Sequence, residues 1–115
     1  AGEAEARHAV SIGYYDRQGS PISLEEFGRL HENPEYKIVA KKHFEGHIEV
    51  STAWLGLDHN FGRGELAIYE SMVFGPENYP HDQAQMRYAT EDEAWEGHRR
   101  LCEDIEAGRR PWFLE

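Results

Sequence analysis

The chain has 115 residues, 39% of them hydrophobic, with 22 acidic against 12 basic residues and a formal net charge of −10. That length suits one domain with a real core, and its single cysteine, Cys102, excludes an intrachain disulfide. The acidity argues against a general grip on a nucleic-acid backbone, which needs Lys and Arg set against phosphates, and no apolar run approaches the roughly 20 residues of a membrane span.

Residues 1–8 are small and charged, with no apolar signal-peptide core, and are expected to form a flexible lead-in to a protein that stays in the cytoplasm. Val10, Ile12 and Tyr14 then alternate with small or polar residues, which predicts a short strand. Asp16 to Gly19 has turn chemistry. Ser23-Leu24-Glu25-Glu26 fits a capping box, in which Ser23 accepts from the backbone three residues on and Glu26 reaches back. It predicts a short helix from Leu24 to His31, apolar on Leu24, Phe27 and Leu30 and stopped at Asn33-Pro34.

From Tyr36 the period becomes two. Tyr36, Ile38, Ala40 and Phe44 share one parity, and Ile48, Val50, Thr52 and Trp54 share another beyond a tight Glu45-Gly46 turn, so a hairpin is predicted. A third strand is expected over Glu65 to Phe74 with Leu66, Ile68, Met72 and Phe74 inward. Glu70 lies on that apolar parity, where an unpaired carboxylate is costly. Ala84 to Ala89 predicts a fourth strand with Met86 and Tyr88 alternating with Gln85 and Arg87.

Thr90-Glu91-Asp92-Glu93 is a second capping box, with acids at the positive end of the helix dipole. The helix it starts is expected to reach about Ala107, with an apolar stripe of Ala94, Trp95, His98, Leu101, Cys102 and Ile105 and a Glu96–Arg100 pair outside. Gly108 to Pro111 then reads as a stop. Clustered strands not alternating with helices define the α+β class: an antiparallel β-meander of about four or five strands, a short N-terminal helix, and an amphipathic C-terminal helix on one face. Residues 9–110 are expected as one domain and 111–115 as an aromatic tail.

The sharpest chemical constellation is Asp58 and His59 in the glycine-flanked loop, Glu70, and His98 on the apolar helix face. With the helix laid across the sheet, Glu70 and His98 are expected to meet, as a carboxylate orienting a general base or metal ligand, or as a self-satisfied pair that fixes helix register. His43 and His47 flank the hairpin turn and are too few for a structural zinc site. Gly62-Arg63-Gly64 lacks the helix N-terminus of a phosphate-binding loop. No cofactor is predicted and no metal ligands are assigned, and Cys102, mid-helix, reads as an inert hydrophobe. Trp112, Phe113 and Leu114 fold back onto the domain, dock into a partner or a second copy, or form a disordered tail, and with Trp54 they are the candidate binding residues.

Several stretches carry a resemblance. Tyr14-Tyr15-Asp16 through Gly19 with Pro21-Ile22-Ser23, Val50-Ser51-Thr52 leading into Trp54-Leu55-Gly56-Leu57-Asp58-His59 and Phe61-Gly62, Glu70 with Met72-Val73-Phe74-Gly75, and Tyr88-Ala89-Thr90 through Gly97-His98 form the pattern. Together they resemble a group of small uncharacterised proteins encoded by bacteriophages and prophages. The likeness runs from Tyr14 to His98 and departs in the Arg109 to Glu115 tail, so no role of Trp112 comes with it. It implies an origin, and the cytoplasm of a bacterial host as location, not a mechanism.

The first functional expectation is a phage-type accessory protein that binds a host or phage protein without catalysis, as in host takeover or anti-defence. Glu65 to Glu115 alone carries twelve acids against five bases, so a basic partner fits better than nucleic acid. A small hydrolase or metal-dependent enzyme built on Asp58, His59, Glu70 and His98 is the second. A minor virion component that self-associates through a sheet edge or the tail is the third.

Overall fold

A computed structural model describes residues 13–114. Val10, Ile12 and the expected lead-in lie outside them. Tyr14–Tyr15 (β1) pairs with Pro21–Ile22 (β2) across the Asp16 turn, in which the Asp16 carboxylate accepts from the N–H groups of Gln18 and Ser20. Ser23 caps helix α1, Leu24–His31, by accepting from Glu26 N. Glu26 does not reach back: its carboxylate takes both arms of the Arg29 guanidinium one turn on. Phe27 and Leu30 pack inward, whereas Leu24 stands 65% exposed.

Tyr36, expected to begin a strand, lies instead in a single helical turn, Pro34–Lys37 (α2), because Asn33 caps it and Pro34 occupies its first position. Strand β3, Ile38–Phe44, follows and carries a bulge between Ile38 and Ala40. The bulge splits the expected parity, placing Val39 rather than Ile38 against the buried aromatics. Three residues, Glu45 to His47, turn the chain into β4, Ile48–Trp54.

Strands β5, Tyr69–Phe74, and β6, Gln85–Tyr88, complete an antiparallel meander in the order β3-β4-β5-β6. Helix α3, Glu91–Glu106, starts at the Thr90 capping box and packs across one face. The fold is therefore α+β, as the clustering of strands implied. Trp95, placed on the buried stripe by its spacing, is 47% exposed at the stripe's edge. Arg100 does not pair with Glu96. Arg99 bridges Glu96 and Glu103 instead, and Arg100 lies 4.6 Å above the Trp112 ring.

Two apolar clusters hold α3 to the sheet. One joins Val50 and Val73 to Leu101, Cys102 and Ile105; the other joins Trp54, Ile68, Tyr69 and Tyr88 to Ala94. Gly97 sets how closely helix and sheet approach, since a Cβ there would lie 2.2 Å from the Tyr88 hydroxyl. Gly97→Ala is expected to cost about 1–3 kcal/mol through overpacking, read by urea denaturation; an unchanged midpoint contradicts this packing. Gly56 is equally constrained, by a φ of 80° and by Phe27 and Trp54 rings that a Cβ would meet at 2.6 Å.

The tail folds back. Asp104, buried near the end of α3, accepts from Trp112 N at 2.9 Å and from Arg109 Nε at 3.1 Å. Pro111 is buried, and Trp112 and Phe113 pack against the core while keeping some exposed surface.

Candidate functional site

The register of β5 against β4 decides the chemistry. Trp54 pairs with Tyr69, Thr52 with Ser71 and Val50 with Val73, so Tyr69, Ser71 and Val73 face α3. Glu70, Met72 and Phe74 take the opposite face, the reverse of the parity expected. Glu70 therefore does not meet His98. Its carboxylate pairs with Arg87 Nε at 3.0 Å across β6, on the face away from the helix. The strand begins only at Tyr69, and just before it Ile68 O accepts from both Leu55 and Gly56 N–H, a local irregularity that shifts the alternation by one.

His98 meets a different set of groups. Its Nδ1 lies 2.7 Å from Thr52 Oγ1, which lies 2.6 Å from Ser71 Oγ, and Tyr88 OH donates to Ser71 Oγ at 3.0 Å. With Tyr88 as the donor to Ser71, the relay that uses each hydroxyl proton once within the row runs from Ser71 to Thr52 and from Thr52 to His98 Nδ1. That direction assigns the imidazole proton to Nε2, which faces Cys102 Sγ at 3.5 Å. The row separates the two apolar clusters as a polar layer through the core.

Burial, and secondarily the charge of Lys42, hold His98 below its ordinary pKa, while burial pushes the Cys102 thiol up. At neutral pH the pair is an imidazole beside a thiol, not an activated nucleophile. Because the folded pKa of His98 is depressed, the unfolded chain takes up the proton first. Stability is therefore complete above the ordinary histidine value and falls as pH drops towards the folded one. His98→Gln should remove that part of the pH dependence in a denaturation series, and a variant with the same slope just below about pH 6.5 contradicts the assignment.

Asp58 is buried at the start of the loop after β4 and far in role from His98. Oδ1 accepts from Asn60 N at 2.9 Å and Ala67 N at 3.0 Å, and Oδ2 from Gly62 N at 2.8 Å. Burial raises its pKa, but these backbone donors outweigh it and hold the carboxyl below the ordinary range. Asp58 is thus a staple that ties the two ends of the loop, with Asn60 Nδ2 adding a bond to Glu65 O. The positive φ values of Phe61, Gly62 and Gly64 follow from that tight path, and Phe61 is displayed 57% exposed.

Neither histidine of the hairpin faces the other: His43 stands opposite Glu49, and His47 lies in the turn with φ 63°. Among the described residues no three His, Cys, Asp or Glu are grouped to hold a metal ion. Trp54 has no exposed surface, and its indole N–H donates to Tyr15 O, so its place is the core rather than a contact surface.

One groove, of about 630 Å³, lies over Lys42, Trp95, His98 and Cys102, and a roomier one, of about 840 Å³, lies on the same side of the sheet as α3. The stapled loop (Asn60, Glu65, Leu66) forms one wall, α3 with Trp112 the other, and edge strand β6 lies between them. Sequence reasoning missed this site because it depends on which strand ends the sheet. The signal available was the short, charge-interrupted β6 beside an acidic helix start. Another cluster binds the β1–β2 turn to α3: the Arg17 guanidinium pairs with the Glu91 carboxylate, and Tyr69 OH donates to Arg17 O. Its partners are all satisfied within the fold.

No family model, curated protein or solved structure matches the chain significantly. Among the described residues no helix is long and apolar enough to cross a membrane.

Proposed function

We propose that the protein is a non-catalytic, phage-type protein-binding module whose working surface is the groove between β6 and α3. The observation that carries this reading is an unpaired edge strand opening onto a preformed, partly apolar groove. Three of the four groups considered for chemistry are occupied structurally: Asp58 by backbone amides, Glu70 by Arg87, and His98 by Thr52.

The net charge of −10 and the likeness to phage-encoded proteins support a finer version, in which the target is a host or phage protein with a basic surface. An acidic domain of this size can cover the nucleic-acid groove of a host defence enzyme, and that is the anti-defence role we propose. Immobilised protein should retain a basic protein from a bacterial host lysate in stoichiometric amount, release it at high salt, and lose it on Gln85→Pro. Retention of nothing, or of a partner indifferent to both salt and Gln85→Pro, contradicts the reading.

A further inference from the structure

We infer, resting on the protein-binding reading above, that the occupant of the groove is an extended, cationic peptide segment that adds to β6 as a fifth strand. Ala84 O accepts from Val73 N, and Tyr88 O from Ile68 N, so the main chain of the even-numbered residues faces β5. By the two-residue period of a strand, the N–H and C=O groups of Gln85 and Arg87 point the other way, into the open edge. They are the main-chain groups an added strand would pair.

The opposite edge of the sheet is less suited. Strand β3 carries Lys41 and Lys42 and the bulge at Ile38 to Ala40, features that discourage strand pairing. At β6, alternate side chains of an added strand would enter the groove over Leu66, Met86 and Trp112, which favours small or medium aliphatic groups there.

Charge fixes the rest of the chemistry. Glu65 and Asp92 both line the groove, both are exposed, and neither enters an ion pair among the described residues. Four acids line the groove, Glu65, Asp92, Glu93 and Glu96, against two bases: Arg87, which pairs with Glu70 on the far face, and Arg100, whose guanidinium stacks on the Trp112 ring in the groove wall. The unmatched charge is therefore negative, and Lys or Arg in the occupant completes it. A second copy of this chain fits poorly, because pairing β6 with β6 would bring two such acidic rims together.

The test uses the full chain and three labelled peptides: one alternating Lys and Val, one with Glu in place of every Lys, and one Lys/Val peptide interrupted by proline. Only the first should bind. Its affinity should fall at least about ten-fold on the Glu65→Gln/Asp92→Asn double change, and binding should slow amide exchange at Gln85 and Arg87. Equal binding of the acidic or proline-interrupted peptide, protection at β3 instead, or a dimer with the same protection and no peptide overturns the inference. If all three peptides fail while a host protein is captured and tolerates Gln85→Pro but not high salt, strand addition falls and protein binding stands. If nothing is captured either, both fall.

Discussion

Asp58→Ala is expected to lower the free energy of unfolding by about 3–4 kcal/mol. The change removes the acceptor for Ala67 N–H, which is buried, and an unpaired buried donor alone costs about 1–3 kcal/mol. The N–H groups of Asn60 and Gly62 are only part-buried and recover some bonding to water, so they add less. Asp58→Asn keeps one oxygen for Asn60 and Ala67 but turns an amide N–H₂ towards Gly62 N–H, and about 1–2 kcal/mol is expected.

The sign of the pH effect follows from the depressed pKa of this carboxyl. Its contribution is complete above the ordinary aspartate value and is lost as pH falls through the folded one. Urea titrations between about pH 7 and 3 should show a shallower acid limb in Asp58→Asn than in the unmodified protein. Parallel curves would mean that the loop is not held by this carboxylate.

Thr52→Val is the second large change, nearly equal in volume but without the hydroxyl that joins Ser71 to His98. It strands the Ser71 proton and the His98 Nδ1 lone pair in a buried layer. Two unmet buried groups give about 2–4 kcal/mol of destabilisation. Thr52→Ser keeps the hydroxyl and loses one methyl, for about 1 kcal/mol. The contrast between the two variants isolates the hydrogen bonds from the packing. Because the polar layer lies between two apolar clusters, we expect its loss also to loosen the register of α3, seen as faster amide exchange along Leu101 to Ile105. Equal costs for valine and serine would show that the hydroxyl contributes nothing.

Local chemistry was legible where one residue's neighbours in sequence determine its conformation. Ser23 and Thr90 marked both long helices, Gly46 marked the hairpin, and the stripe from Ala94 to Ile105 identified the face that α3 buries. Parity failed where the chain departs from regular pairing. At Ile38 the β3 bulge flips the alternation, and at Ile68 a shared carbonyl does the same before β5 begins.

The second flip moved Glu70 from the core to the outer face and put Ser71 in its place. A carboxylate sitting on an apolar parity, with an arginine one position from the end of the next strand, was the clue that the parity was wrong. Asp58 and His98 stood out in the sequence as candidate site residues, but only their partners distinguish a staple and a core layer from an active site. Those partners are backbone amides and a hydroxyl from other elements, which no local pattern encodes. The groove likewise depends on β6 ending the sheet, a property of strand order.

The claim on which the account turns is that this protein works through the β6 edge and not through its buried imidazole. It is tested most directly by measuring, on one captured basic partner, the affinity of Gln85→Pro and His98→Gln, each first shown to be folded by circular dichroism. Gln85 is exposed on the edge, and proline is tolerated there because its main chain faces away from β5. The account predicts at least about a ten-fold loss for Gln85→Pro and an unchanged affinity for His98→Gln. Unimpaired binding by the proline variant, with loss in the histidine one, would contradict it.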